Sequence, residues 1–178
     1  MRIKKTNPIF ITIFFILTAF WFFQVSDKNI VEEKNIELKE ISGIAQVHDG
    51  DTIKIDNKRI RLIGIDAPET KQTCFNKNEE EYACGEASSA FLKNFANEKF
   101  VVCKYEKLDI YKRILGECFV ENVSMNKKMV ESGMAVIYTF GKTDEEILAL
   151  QNDAKNHSRG MWQGSFELPK DYRKRKKH

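Results

Sequence analysis

The chain has 178 residues, which suffices for one folded domain with additional terminal segments. Hydrophobic residues make up 42% and charged residues 31%, a balance that excludes collagen-like, mucin-like and intrinsically disordered proteins. The formal net charge of +3 also excludes a protein that holds nucleic acid by bulk positive charge alone.

The first 26 residues predict an N-terminal membrane anchor or signal sequence. Lys4 and Lys5 precede an uncharged run, 6–26, that as a helix would span about 31 Å. No small-x-small cleavage site follows, and Trp21 with the next two phenylalanines suits an interfacial aromatic belt. We therefore expect a single-pass protein of the cell membrane whose remaining residues lie outside the cytoplasm. Secretion after signal cleavage is the alternative.

Three further segments follow the anchor. Residues 27–42 are charged and lack glycine and proline, which is typical of a stalk or short helix. Residues 43–169 hold the folded domain. Residues 170–178 form a basic tail, and we expect its charge run at 173–177 to be disordered.

The predicted elements of the domain are strands first and helices later. Alternating apolar residues joined by turn residues predict strands at 44–48, 52–55 and 59–65. The elements that follow an irregular polar stretch are a helix at 85–97, strands at 100–105 and 114–120, a helix at 124–132, an extended run at 135–140 and a helix at 143–156. Five strands with about three packed helices predict an α+β fold built on a small, closed, OB-type barrel.

The four cysteines are Cys74, Cys84, Cys103 and Cys118, an even number that suggests disulfides in an exported domain. Centring the predicted hairpin turn between residues 110 and 111 places Cys103 directly opposite Cys118, at a Cα separation of about 4.5 Å. Cys74 is then left to pair with Cys84. Buried free thiols remain one alternative, and a zinc site, which lacks any C-x2-C pair, is another.

Three segments could carry chemistry: Asp49–Thr52, Arg61–Thr70 and Asp109–Arg113. Taken singly, they can be explained as a turn, a surface ion pair between Arg61 and Glu69, and a basic hairpin tip. Taken together, they offer carboxylate oxygens for Ca²⁺, a further carboxylate for a water molecule, and two arginines for a phosphate. Those groups are what hydrolysis of a phosphodiester requires.

These segments, with C-G-E-A-S at 84–88, N-x-x-M-V-E-S-G-M-A at 126–135 and R-G-M-W at 159–162, resemble the staphylococcal-nuclease-like (thermonuclease) family. The resemblance covers about residues 43–172, and R-L-I-G-I-D-A-P-E-T at 61–70 is its most specific part. It implies an OB-fold, Ca²⁺-dependent endonuclease that acts on DNA and RNA, preferably single-stranded. It also implies 3′-phosphate products.

The resemblance also implies roles for individual residues. Those implied for catalysis are Arg61, Glu69 and Arg113. Those implied for calcium are Asp51, Asp66 and the backbone carbonyl of Ala67, with Asp49 as an acid beside them. Those implied for substrate are Tyr111 and Tyr138, and we add Lys112, which lies between Tyr111 and Arg113, as a further candidate for substrate binding. Two positions depart from the family pattern: Lys112 replaces a usual glycine, and Ile110 replaces a position that is often basic.

Two other functional classes remain open. One is a non-catalytic OB-fold module that binds nucleic acid or protein and is tethered to the membrane; Glu69 argues against it, because a pure phosphate binder has no use for a carboxylate there. The other is a tethering protein whose basic tail binds anionic lipid or nucleic acid. The sequence implies no obligate protein partner, and we expect a monomer.

Overall fold

The computed structural model describes residues 38–138 and 144–177. The predicted anchor, and the stalk up to residue 37, lie outside the described residues. Within the two described ranges no helix combines the length and apolar character needed to cross a membrane. Residues 139–143 are outside them as well, and they include the end of the predicted run at 135–140 and the start of the predicted helix at 143–156.

The described residues form ten strands and four α-helices. The strands are β1 (Lys39–Val47), β2 (Thr52–Ile55), β3 (Lys58–Leu62), β4 (Ile65–Asp66), β5 (Cys74–Phe75), β6 (Glu81–Tyr82), β7 (Phe100–Leu108), β8 (Ile114–Val120), β9 (Val123–Ser124) and β10 (Val136–Ile137). The helices are α1 (Cys84–Ala96), α2 (Met125–Glu131), α3 (Glu145–Asn156) and α4 (Pro169–Arg175), with a 3₁₀ turn at Gly160–Gln163.

Five strands close into a barrel in the order β3-β2-β1-β7-β8. The neighbours in that order pair antiparallel, and β3 pairs parallel with β8 to complete the ring. The inward residues of the alternating strands, among them Ile53, Ile60, Leu62 and Val101, are fully buried. The predicted α+β class and the five-stranded closed barrel are confirmed, and the structure has four helices instead of about three.

Strand β1 begins earlier than the sequence indicated. Residues 39–42, which we assigned to the stalk, pair with β7 from Lys39↔Tyr105 to Ser42↔Val102. The stalk prediction is wrong for these residues. They escaped detection because most of their side chains are exposed, which leaves no apolar alternation, although Ile41 packs against the core.

Buried Asn126 ties the start of α2 to the closing strands. Its Nδ2 donates to the carbonyl oxygens of Ile63 (2.8 Å) and Gly116 (3.2 Å), and its Oδ1 accepts from the backbone N–H of Cys118 (3.1 Å). The segment from β3 to β4, which carries Arg61 and Asp66, is therefore fixed against β8 by a side chain whose polar atoms are all paired.

Both predicted disulfides are present. Cys103 and Cys118 are directly paired in the β7–β8 register, with a Cα separation of 4.0 Å, and Cys74 joins Cys84 at the start of α1. The free-thiol alternative is wrong. The zinc alternative loses its thiolate ligands, since all four sulfur atoms are used in the bridges.

The C-terminal basic run is ordered where we expected disorder. Residues 169–175 form α4, which starts with Pro169, a residue suited to the first turn because it has no N–H to satisfy. The Tyr172 hydroxyl donates to the carbonyl oxygen of Lys71 (3.0 Å), and Arg175 pairs with Glu167 (2.8 Å). The expectation of disorder is wrong for residues 173–175, because contacts distant in sequence hold the helix.

Candidate active site

Most of the predicted site residues line one cleft of about 580 Å³ beside the barrel. The predicted residues among its lining are Asp49, Asp51, Arg61, Ala67, Glu69, Tyr111, Arg113 and Tyr138. Asp66 is 1% exposed and contacts two arginines of the cleft. Lys112 lies apart, in a neighbouring hollow that also contains Arg59 and Tyr111. The folded chain thus brings together residues that are far apart in sequence.

The turn between β1 and β2 presents Asp51. The Asp49 carboxylate accepts the backbone N–H of Asp51 (3.1 Å), so Asp49 fixes the turn that carries its neighbour. Gly50 is required here because a Cβ would lie 2.2 Å from Ser88 Oγ and 2.7 Å from Ala67 Cβ. The D-G-D sequence therefore allows this turn to press against α1 and the segment that follows β4.

Arg61 on β3 joins two buried aspartates. Its Nη1 donates to Asp51 Oδ1, and its Nη2 donates to Asp66 Oδ1 at 2.7 Å. The second oxygen of Asp51 accepts from the Ala67 N–H at 3.2 Å. The surface pair between Arg61 and Glu69 that we considered from the sequence is not what forms among the described residues, because the two aspartates take the guanidinium instead.

Asp51 is a buried carboxyl whose pKa is shifted upward. The pKa is raised to about 6, chiefly by burial and also by the neighbouring Asp49 and Asp66, against the lowering effects of Arg61 and the Ala67 N–H. Burial opposes charge on Arg61 as well, but Asp51 and Asp66 raise its pKa. Because burial is the largest cause, the shift reflects mainly the cost of charging a buried carboxyl, a cost that further positive charge beside it would lower.

Glu69 stands at the cleft with a firmly held backbone and a half-exposed side chain. Its N–H donates to Oε1 of fully buried Gln72 (3.2 Å), and its carbonyl oxygen accepts from the Gln72 N–H (2.7 Å). A Cβ on Gly85 would lie 1.8 Å from that same carbonyl oxygen, so the C-G-E segment needs glycine for α1 to approach. The backbone is therefore rigid while the carboxylate can reach solvent.

Arg173 of α4 bridges Glu69 and Asp66. Its Nη1 donates to Glu69 Oε1 (2.8 Å), and its Nη2 donates to Asp66 Oδ2 (2.9 Å). Burial opposes charge on this guanidinium, but the bonds to both carboxylates raise the pKa of Arg173. A residue from the last helix thus contacts two carboxylates to which the resemblance gives separate roles.

The β7–β8 hairpin carries Arg113 to the opposite side of the cleft. Asp109 Oδ1 accepts the backbone N–H groups of Tyr111 (2.9 Å) and Arg113 (2.9 Å), and its Oδ2 accepts from Arg113 Nε (2.7 Å). Burial would raise the pKa of Asp109, but these donors lower it overall. Lys112 has φ of +62°, so the lysine occupies the left-handed conformation that favours glycine.

Three residues of the site were missed from the sequence. Asp109 was treated only as part of a hairpin tip, although its position four residues before Arg113 is a usable signal. Arg59 lies two residues before Arg61 on the same face of β3, as strand periodicity allows, and it lines the same cleft. No local pattern singles out Arg173, whose partners are 104 and 107 residues away.

Comparisons with known proteins found a matching family model and several similar proteins. The model of the family "Staphylococcal nuclease homologue" matches residues 59–164. An uncharacterized endonuclease of Escherichia coli is 35% identical over 131 residues, which cover 71% of this chain and 79% of that protein. The succinoglycan biosynthesis protein ExoI of Rhizobium meliloti is also 35% identical, over 71% of this chain and 67% of its own. Endonuclease YhcR of Bacillus subtilis is 32% identical over 155 residues, which cover 76% of this chain and 13% of that protein.

Proposed function

The chain belongs to the staphylococcal nuclease homologue family, and from that premise we propose that it is a calcium-dependent nuclease that hydrolyses phosphodiester bonds of DNA and RNA. One observation supports the proposal above all others: Arg61, Glu69 and Arg113 line the same cleft. Two guanidinium groups and a carboxylate in one cleft suit a reaction in which water attacks a phosphate and negative charge grows on its oxygens.

Glu69 is the proposed general base. Its side chain is 43% exposed, so water can reach the carboxylate, while the bonds of its backbone to Gln72 hold its position. A carboxylate within hydrogen-bond reach of a water molecule orients that water and accepts its proton as the water attacks phosphorus. Arg61 and Arg113 donate to the phosphoryl oxygens and stabilise their developing charge.

Asp51, Asp66 and the Ala67 carbonyl are the proposed ligands of Ca²⁺. The donor set fits, because these are hard oxygen ligands and the two carboxylates are buried close enough to share Arg61. The raised pKa of Asp51 supports a position where a cation is favourable. When bound, the ion would supply positive charge next to the scissile phosphate. Few carboxylates and a loop-borne ligand suit the flexible shell of Ca²⁺ better than the strict octahedron of Mg²⁺.

The proposed substrate is single-stranded or frayed nucleic acid, cut to leave 3′-phosphate ends. Tyr111 supports this choice, because the residue is 70% exposed beside the cleft and its ring can stack on any base. The Arg113 guanidinium lies 5.6 Å from the centroid of that ring, so a stacked base and a bound phosphate would be neighbours. Tyr138 at the cleft and Lys112 in the adjoining hollow are the further proposed substrate contacts.

Anchoring through the uncharged N-terminal segment, with the nuclease domain outside the cytoplasm, is part of the proposal. It is supported by the uncharged run after Lys4 and Lys5, and by two disulfides, which persist in oxidising compartments. Membrane fractionation with protease protection tests it: the chain should sediment with membranes and be digested only from the outer side. A soluble exported chain starting near residue 27 would contradict the anchor.

The function is tested by incubating the full chain, in detergent, with single-stranded DNA and with RNA in Ca²⁺, in Mg²⁺ and in chelator. We expect degradation in Ca²⁺, little in Mg²⁺ and none in chelator, with product ends that become extendable by a polymerase only after phosphatase treatment. Full activity in chelator, or equal activity in Mg²⁺, would contradict the calcium assignment. Binding without cleavage under every condition would favour the non-catalytic module.

A further inference from the structure

Arg173 occupies the oxygens that the proposed function requires for other purposes. Its guanidinium takes Asp66 Oδ2 at 2.9 Å and Glu69 Oε1 at 2.8 Å, while Arg61 takes the other oxygen of Asp66 at 2.7 Å. Both carboxylate oxygens of Asp66 are therefore paired with arginine. A divalent cation that binds Asp66 would lie close to both guanidinium groups, and their positive charge opposes its binding.

Arg173 is the easier of the two arginines to displace. The Arg61 side chain is 16% exposed and projects from β3 in the middle of the barrel, where its backbone is paired with β2 and β8. The Arg173 side chain is 32% exposed and belongs to the last helix. Moving Arg61 would disturb the sheet, whereas moving Arg173 requires only that α4 shift.

Helix α4 is held by few contacts. Of its seven residues only Pro169 is buried, and its other anchors in the described chain include the hydroxyl bond of Tyr172 to Lys71 and the exposed pair of Arg175 with Glu167. Exposed ion pairs contribute little to stability. The two bonds of Arg173 are thus a large part of what docks α4, and their loss would free the helix.

We propose that Arg173 is an internal counter-cation that a divalent ion displaces from Asp66 and Glu69, so that α4 sets the metal affinity of the site. The inference rests on the proposed calcium function and adds a residue beyond the 59–164 match to the family. With Arg173 in place, Oε1 of Glu69 accepts a hydrogen bond from the guanidinium, so this oxygen is engaged and does not accept a proton from water. Binding of the ion to Asp66 also releases Glu69 from Arg173. Glu69 is then free to act as the general base only when the metal is bound.

The first test is calorimetric titration of the full chain with CaCl₂, comparing wild type with Arg173→Gln. Loss of two charge-assisted hydrogen bonds should tighten calcium binding by about tenfold or more. The matched control is Lys174→Gln, which removes one positive charge from the same helix but only a 3.4 Å pair with Asp171, and which should change the affinity much less. Arg173→Lys keeps the charge but cannot bond both carboxylates with one planar group, so its calcium affinity should lie between those of wild type and Arg173→Gln.

The second test follows wild-type protein by hydrogen exchange, so it does not depend on any variant folding. Addition of CaCl₂ should speed amide exchange in residues 169–177 while the barrel strands stay protected. Equal calcium affinity in wild type and Arg173→Gln, with unchanged exchange in α4, would overturn the counter-cation and leave the nuclease proposal intact. Absence of calcium binding in both proteins would overturn the counter-cation together with the proposed metal site.

Discussion

The Cys103–Cys118 bridge should stabilise the domain by an amount that the length of its loop sets. The two cysteines are 15 residues apart in sequence, and both are fully buried at directly opposed positions of β7 and β8. Closing a loop of that length removes enough conformational entropy from the unfolded chain to contribute about 3 kcal/mol. In a domain of this size, that corresponds to a shift in Tm of about 10 °C.

The measurement isolates this bridge in a variant with both Cys74→Ala and Cys84→Ala, where reductant can act only on Cys103–Cys118. The Tm of the oxidised and reduced forms is then compared. The reciprocal variant, Cys103→Ala with Cys118→Ala, is the control and reports on the second bridge, whose 10-residue separation predicts a slightly smaller shift.

Activity should respond less than stability to reduction of the Cys103–Cys118 bridge. The β7–β8 ladder also pairs Val102 with Phe119 and Lys104 with Glu117, so backbone hydrogen bonds still hold the hairpin that carries Arg113. At temperatures well below its Tm, the reduced variant should therefore cleave nucleic acid nearly as fast as the oxidised form. A Tm that reductant leaves unchanged, or free thiols at residues 103 and 118 in exported protein, would refute this reasoning.

Three further predictions concern the hairpin and the aspartates. Asp109→Ala should lower kcat/KM for single-stranded DNA by about 10- to 100-fold, because Arg113 loses its charge-assisted partner; unchanged kinetics would show that Asp109 does not position Arg113. Lys112→Gly should raise the free energy of unfolding in urea by about 0.5–1 kcal/mol, because it removes the cost of a left-handed lysine; a loss of stability would contradict the observed φ. In chelator, the pKa of Asp51, about 6 when folded and ordinary when unfolded, should make stability fall by about 2 kcal/mol from pH 4 to pH 6. The sign follows because the folded state holds the proton longer, and Asp51→Asn should abolish this slope.

Features governed by local pattern could be predicted from the sequence. Alternation located the barrel strands, because one face of each strand is buried, and counting back from the hairpin turn placed Cys103 opposite Cys118. The spacing within residues 61–70 brought Arg61 and Glu69 to one cleft, as the family resemblance implied, although their catalytic roles stay predictions.

Features governed by contacts between residues distant in sequence could not be predicted in this way. Residues 39–42 join β1 although most of their side chains are exposed, so the partner strand β7, and not apolar periodicity, determines their conformation. Arg61 binds Asp51 and Asp66 because both aspartates are buried beside it, which spacing along the chain does not reveal. Arg173 lies in a charge run of a kind that is typical of a solvated tail. Its ion pair with Glu69 forms only in the folded domain.

The most direct test of the central claim is the cleavage rate of Glu69→Gln on single-stranded DNA at saturating Ca²⁺, measured beside wild type and Glu106→Gln. Glu106 is an exposed glutamate on β7 outside the cleft lining, so its substitution removes the same charge without touching the proposed chemistry. The account predicts that Glu69→Gln binds DNA as wild type does but cleaves it at least about 100-fold more slowly, while Glu106→Gln cleaves normally. A Glu69→Gln rate within a few-fold of wild type would contradict the account.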